Sequence, residues 1–300
     1  MSAPRTQYAR SGDVHLAYQV IGEGPRDIVL VLDWASHLEA LWEQPLVAEF
    51  ISALNRFARV IWFDMRGVGL SDRVVDAAVS AEDWLEDVSA VMDASGSERA
   101  TIVAHGHAVQ LAVLFAATHP ERLDSLVLIN GFARLLRSDD YPAGMPTEAR
   151  DSVLAGIETN WGTGRLATVL APSVASQPGV KDWYGRVERY AASPGTALAK
   201  MRAISELDVR NVLPLVAAPT LASTTATTGS SAPATGATSP STSPVHTCSS
   251  ATAPITGPSA TRTSSARSRS LSSALARRTA MSTASWRRCS SWTSLARPSA

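Results

Sequence analysis

The chain has 300 residues, enough for one large α/β domain or two small ones. Its formal charge is zero, yet every acidic residue precedes Leu221 and eight of the 27 basic residues follow it, so a first part near −8 adjoins a tail near +8. Both cysteines, Cys248 and Cys289, lie in the tail, which excludes a disulfide framework or cysteine metal site before it; no apolar run is long enough for a signal peptide or a membrane span, so a cytoplasmic protein is expected.

The elements follow in chain order. Val14 to Val20 alternates as a half-buried strand and runs into Gly22-Glu23-Gly24-Pro25, which reads as a hairpin-like turn. Asp27 to Leu32 and Val60 to Phe63 are short apolar runs, expected as strands buried on both faces. Ser80 to Ser95 reads as an amphipathic helix. Ser80 and Asp83 form its capping pair, Trp84, Leu85, Val88, Val91 and Met92 share a face, and Gly96 closes it. Thr101 to Val103 is a strand, His107 to Thr118 a helix apolar nearly all round, and Ser125 to Ile129 the next strand. Such alternation predicts an α/β class, a mostly parallel sheet with helices on both faces. From about 141 to 210 the pattern turns helical and irregular, as in an inserted cap.

Several stretches then carry a resemblance. "FDMRGVGLSD", Phe63 to Asp72, resembles the F-D-x-R-G-x-G-x-S-D stretch after the fourth strand of many α/β-hydrolases. "FAATHPERLDSLVLING", Phe115 to Gly131, resembles the helix and strand after their nucleophile. "YARSGDVHLAYQVIGEGPRDIVLVLDWASHLEALWE", Tyr8 to Glu43, resembles one subgroup, the hydrolase-like domains upstream of class III nucleotide cyclase domains. The resemblance covers about residues 5–221. It implies an esterase- or lipase-like fold in which serine, histidine and a carboxylate act together and backbone N–H groups form an oxyanion hole.

One departure is decisive. Where the family has G-x-S-x-G, this chain reads Ala104-His105-Gly106-His107-Ala108, with Gly106 in place of the serine. Glycine suits a turn that needs positive φ but offers no oxygen. The resemblance leaves Asp33, Trp34, Ala35, His105 and His107 as oxyanion-hole or pocket candidates, with a small apolar ligand under the cap. Asp64, Arg66, Gly67, Gly69, Ser71 and Asp72 are expected to fix loop structure. His15 is expected to face solvent, His37 to line pocket or surface, and His119 to place charge at a helix end. His105 or His107 as nucleophile would need an orienting carboxylate, and as a metal pair a third ligand; no motif supplies either, so no metal or cofactor is expected.

After Ala218-Pro219-Thr220-Leu221, which resembles the opening of the family's next strand, 51 of the last 80 residues are Ser, Thr or Ala. Taken plainly, residues 222–300 are a low-complexity, disordered tail, and the last strands of the sheet are missing, leaving the Ser125 to Ile129 strand as an apolar edge. "SARSRS" raises a nucleic-acid arm. A sharper reading is out-of-frame translation. One shifted frame, with permitted codons, turns Ile255 to Ser259 into D-H-W-P-F, resembling the catalytic-histidine motif. It turns Ala234 to His246 into R-H-G-R-Y-L-A-E-H-I-P-G-A and Trp286 to Ala300 into L-A-A-V-L-V-L-D-I-A-G-S-T-E-R, resembling the preceding helix and the opening of a cyclase domain. On this reading no nucleic-acid partner is expected and the relatives' cyclase domain is absent. Three functions are thus weighed: a non-catalytic ligand-sensing or structural module, an active esterase-like enzyme with an unrecognised site, and a basic-tail binding protein.

Overall fold

The computed structural model describes residues 4–32, 35–73, 80–170, 175–224 and 245–249. Eight strands form one sheet in the order β1-β2-β4-β3-β5-β6-β7-β8. They are β1 (Gln7–Ser11), β2 (Val14–Ile21), β3 (Asp27–Val31), β4 (Arg59–Phe63), β5 (Ala100–His105), β6 (Leu123–Ile129), β7 (Thr220–Thr224) and β8 (Val245–Ser249). From β4 onward along the sheet every pairing is parallel. β1 and β2 add antiparallel at one edge.

Continuous apolar runs make the centre of the sheet because both of its faces are covered. Along β3, Ile28 and Leu30 enter one core and Val29 and Val31 the other. The first core holds α1 (Leu38–Leu41) and α2 (Pro45–Asn55), with Phe50, Ile51 and Leu54 on Trp62 and Val60. The second holds α3 (Ala81–Ala94) and α4 (Ala108–Thr118). α3 begins with the expected capping box: the Asp83 N–H donates to Ser80 Oγ at 3.1 Å and the Ser80 N–H to Asp83 Oδ2 at 3.0 Å. α4 buries Leu111 and Phe115 among others, each worth about 1.5–3 kcal/mol of apolar transfer.

Two expectations are corrected. The tight hairpin is not at Gly22–Pro25. It joins β1 to β2 through Gly12-Asp13, where Ser11 pairs with Val14 and Gly12 has φ +58°. β2 pairs with β4 and not with β3, so Gly22–Pro25, which leads from β2 past β4 into β3, is a crossover and not a hairpin. The β6 strand is not an edge and the last strands are not missing: β7 pairs with it from Thr220, and β8 pairs with β7 from Val245. Ladder bonds need only backbone groups, and the Thr-, Ser- and Val-containing segments TLAST and VHTCS suit a strand. The rest of the tail lies outside the described residues.

Between β6 and β7 the chain makes a helical excursion: α5 (Thr147–Asn160), α6 (Ala167–Leu170), α7 (Val180–Ala191) and α8 (Pro194–Glu206). Its two ends are stapled, Arg134 Nη1 to Asp208 Oδ2 at 3.1 Å. α7 is fixed to α1 by the Trp183 indole N–H donating to the Ala40 carbonyl (2.9 Å), and to the turn that follows α1 by the Arg186–Glu43 ion pair (2.5 Å). No helix among the described residues is long and apolar enough to cross a membrane.

Candidate functional site

The turn between β5 and α4 leaves the centre of the sheet. Gly106 is its apex, at φ +61°. Its N–H donates to the Ile129 carbonyl of β6 at 3.0 Å, and its own carbonyl accepts from Val109 at 3.3 Å. The first turn of α4 therefore rises from an elbow fixed by backbone. The positive end of the helix dipole faces this turn. His107 follows as the N-cap of α4, with helical φ −66° and no side-chain cap. It is 4% exposed and meets Phe132 edge-on, centroids 5.2 Å apart. His105, the last residue of β5, is half-buried.

Beside the elbow, Asn130 follows β6 with φ +51°, the one non-glycine of positive φ among the described residues. Its N–H donates to the Ser223 carbonyl at 2.9 Å. A Cβ on Gly131 would stand 2.2–2.5 Å from the Val109 side chain, so this turn presses on the start of α4. Motif reasoning passes over Asn130. Its signal is the Asn-Gly dipeptide, since asparagine tolerates the left-handed region.

Asp33 and Trp34 lie outside the described residues. Ala35 is half-buried. The loop continues into Ser36, His37 and Leu38, where it meets Asp64. That carboxylate is fully buried. It accepts from Ser36 Oγ at 2.7 Å, from the Leu38 N–H at 3.1 Å and from the Leu70 N–H at 2.9 Å. Burial pushes the Asp64 carboxyl upward, and these donors, with the nearby His37, pull against it. Asp64 thereby ties the loop after β3 to the loop after β4. Gly69, at φ +57°, is packed against it: a Cβ there would come within 2.1 Å of Oδ2. Ser71 Oγ donates to the Asp64 carbonyl (2.5 Å) and accepts from the Ala17 N–H (2.9 Å). Gly67, φ +74°, closes onto the Asp72 carbonyl at 2.8 Å.

His15 is exposed, with its Nδ1 2.9 Å from Asp72 Oδ2. His37 caps α1 by accepting from the Ala40 N–H (3.3 Å), and its ring lies 5.4 Å from Tyr190. His119 stacks on Phe115 at the end of α4.

Arg66 enters a buried cluster. Its guanidinium binds Asp87 through two bonds, 2.9 and 2.6 Å, and reaches Asp83 at 2.7 Å and Ser11 Oγ at 3.2 Å. Burial pushes the Asp87 carboxyl up while Arg66 opposes it. Lys200 of α8, 5% exposed, donates to the Arg66 carbonyl at 2.8 Å and lies 5.9 Å from the Trp84 ring. Motif reasoning misses Asp87 and Lys200 as well. Their signal is position: each falls on the apolar face of its helix, Asp87 beside Trp84 and Val88, Lys200 beside Ala197, Met201 and Ile204.

Comparison with known proteins places this geometry. The family model described as "alpha/beta hydrolase fold" matches residues 39–198. A protein named "Putative carbamate hydrolase RutD" from Caulobacter sp. (strain K31) is 28% identical over 231 residues, 72% of this chain and 80% of its own length. A 2-hydroxymuconate semialdehyde hydrolase from Pseudomonas putida is 35% identical, over 35% of this chain and 32% of that protein. Among solved structures, an enol-lactonase from Burkholderia xenovorans LB400 matches with TM-score 0.59 and 25% identity, covering 73% of this chain and 80% of that one. A bromoperoxidase from Bacillus anthracis matches in fold, with TM-score 0.63 and 18% identity over 73% of this chain and 81% of that one.

Proposed function

This chain belongs to the α/β hydrolase fold family, and from that premise we propose that it is a non-catalytic member, which holds a small ester- or carbamate-type carbonyl compound at the elbow and does not hydrolyse it. The observation that carries the reading is Gly106, at φ +61° on the turn where the family resemblance calls for the serine. The same turn keeps the feature that would attract such a ligand: the main chain of His107 opens α4 at the position from which the family takes an oxyanion donor. The ligand class follows the names of the relatives, a carbamate hydrolase and an enol-lactonase, whose substrates share an acyl carbonyl.

Two finer parts belong to the same proposal. The kinship with hydrolase-like domains upstream of class III cyclases rests on Tyr8 to Glu43. The domain is taken as residues 1–221, with its cap at about 141–210, and residues 222–300 as out-of-frame translation. The β8 pairing does not argue against that frame, because ladder bonds are made by backbone. The nucleotide sequence between the codons of Pro219 and Thr225 tests it directly, since an unbroken frame there removes this part of the proposal.

The activity test uses p-nitrophenyl acetate and a fluorophosphonate probe, which labels only an activated serine. The chain as it stands, Gly106→Ser alone, and the frame-restored chain alone should all be inactive. Only the frame-restored Gly106→Ser protein should turn over ester, because triad members act as a unit and their effects are strongly non-additive. Probe-sensitive turnover in any of the first three forms means that the chain is an active hydrolase with its nucleophile elsewhere.

A further inference from the structure

A cleft of about 540 Å³ opens between the loop after β4 and the helical excursion. No elbow residue lines it. Its walls include Arg73, Trp161, Arg189, Ser193 and Thr196, and no acidic side chain is among the described residues that line it. That volume is within the range of small-molecule sites.

The two arginines are oriented by backbone carbonyls, and the Arg189 charge also acts on the buried carboxyl of its neighbour Glu188. Arg73 donates from Nη1 to the Ala191 carbonyl (2.6 Å) and from Nη2 to the Tyr190 carbonyl (3.1 Å). Arg189 donates from Nη1 to the Gly162 carbonyl. Carbonyl oxygens orient a guanidinium but leave its charge and its other N–H donors in place. Neither arginine is ion-paired with a carboxylate among the described residues. The acidic neighbour of Arg189 in the chain, Glu188, is buried and turns one oxygen onto the Gly162 and Gly164 N–H groups at 2.8 and 3.0 Å. Two like charges held on one cleft repel each other, and an anion between them relieves the repulsion.

The remaining walls specify what carries that anion. The Trp161 indole is fixed by its N–H to the Ala192 carbonyl, 2.8 Å. It is half-buried and forms part of the cleft wall. Ser193 Oγ and Thr196 Oγ1, 3.0 Å apart, add neutral polar atoms. We propose that this cleft binds a small organic oxyanion, a phosphate monoester or a carboxylate, with its charged head between Arg73 and Arg189 and its apolar body on Trp161. This site is separate from the elbow and does not depend on the reading given to it.

The test is calorimetric titration of the full chain with phenyl phosphate and with benzoate, using phenol as the neutral control. At least one of the two anions should bind, more weakly as salt rises, and phenol should not. The tighter anion identifies the head group. Arg189→Gln and Arg73→Gln should each weaken binding about tenfold or more, as expected for loss of a charge-assisted contact. Arg73 also holds the excursion's backbone, so Arg73→Lys, which keeps the charge, separates folding from binding. It should retain more affinity than Arg73→Gln while circular dichroism stays unchanged. Absence of binding by both anions, or equal binding by wild type and Arg189→Gln, overturns the proposal.

Discussion

β4 and β5 flank β3 in the sheet, and the turns that leave them are fixed in opposite ways. The turn after β4 is held by side chains. Asp64 gathers three donors, Arg66 binds two carboxylates, and Ser71 bridges back to β2. The turn after β5 is held by backbone: Gly106 supplies a positive φ, and its N–H closes onto β6. In sequence, the first turn is dense in charged residues and the second is nearly bare of them. The dense one is an architectural joint; the bare one is the turn that we propose stands where the fold family does its chemistry. Charge density in a motif is therefore a poor guide to reactivity, because a buried carboxylate with both oxygens hydrogen-bonded is a brace.

The largest effect should come from removing a side chain from the first turn. Arg66→Ala leaves Asp87, 1% exposed, without its bidentate partner. Stranding one member of a buried ion pair costs about 3–5 kcal/mol. Urea denaturation of the variant should show a loss of that size. A loss below about 1 kcal/mol, the value of an ordinary hydrogen bond, would mean that water replaces the guanidinium and that the joint is softer than its geometry.

Much of this contrast is legible in the amino-acid sequence. The apolar runs at β3, β4 and β6 and the cap of α3 can be read there because burial on two faces and helix capping both leave local signals. Strand β1 and the hairpin at Gly12 cannot. QYARS alternates weakly, and the glycine-rich stretch at Gly22–Pro25 looks like the stronger turn. Continuation of the sheet through Val245–Ser249 is illegible because low-complexity text carries no hydrophobic period. Lys200 is hidden for another reason: it meets Arg66 from 134 positions away in the chain, and no local pattern encodes that.

Lys200 gives the second test, because it locks the same joint from the excursion. Burial lowers its pKa from 10.5 to about 8; the Asp87 charge opposes the shift and the Arg66 charge adds to it. The unfolded chain holds this proton up to its ordinary value while the folded one releases it near 8. Between those values the unfolded state binds more protons, so stability rises with pH. The shift corresponds to about 3 kcal/mol. Lys200→Met lacks this titration. The stability of wild type relative to Lys200→Met should therefore rise by about that amount between roughly pH 7.5 and 10.5, other groups cancelling. A flat difference would show that water reaches the ammonium group.

The smallest effect belongs to the elbow. Gly106→Ala adds one methyl group at φ +61°, a region that costs an L-residue about 1–2 kcal/mol. Gly96, φ +69°, is the natural control, since a Cβ there meets nothing within 4 Å and its alanine variant reports the φ cost alone. If backbone by itself fixes the elbow, the two alanine variants should lose equal stability in urea titration. A larger loss at Gly106 would show that the space above the turn is already filled, leaving no room for a bound carbonyl. The same measurement bears on repair. A serine at Gly106 carries the same φ cost as alanine, so Gly106→Ser should match Gly106→Ala in stability. An inactive but equally stable Gly106→Ser protein then lacks partners for its hydroxyl, and its silence cannot be put down to unfolding.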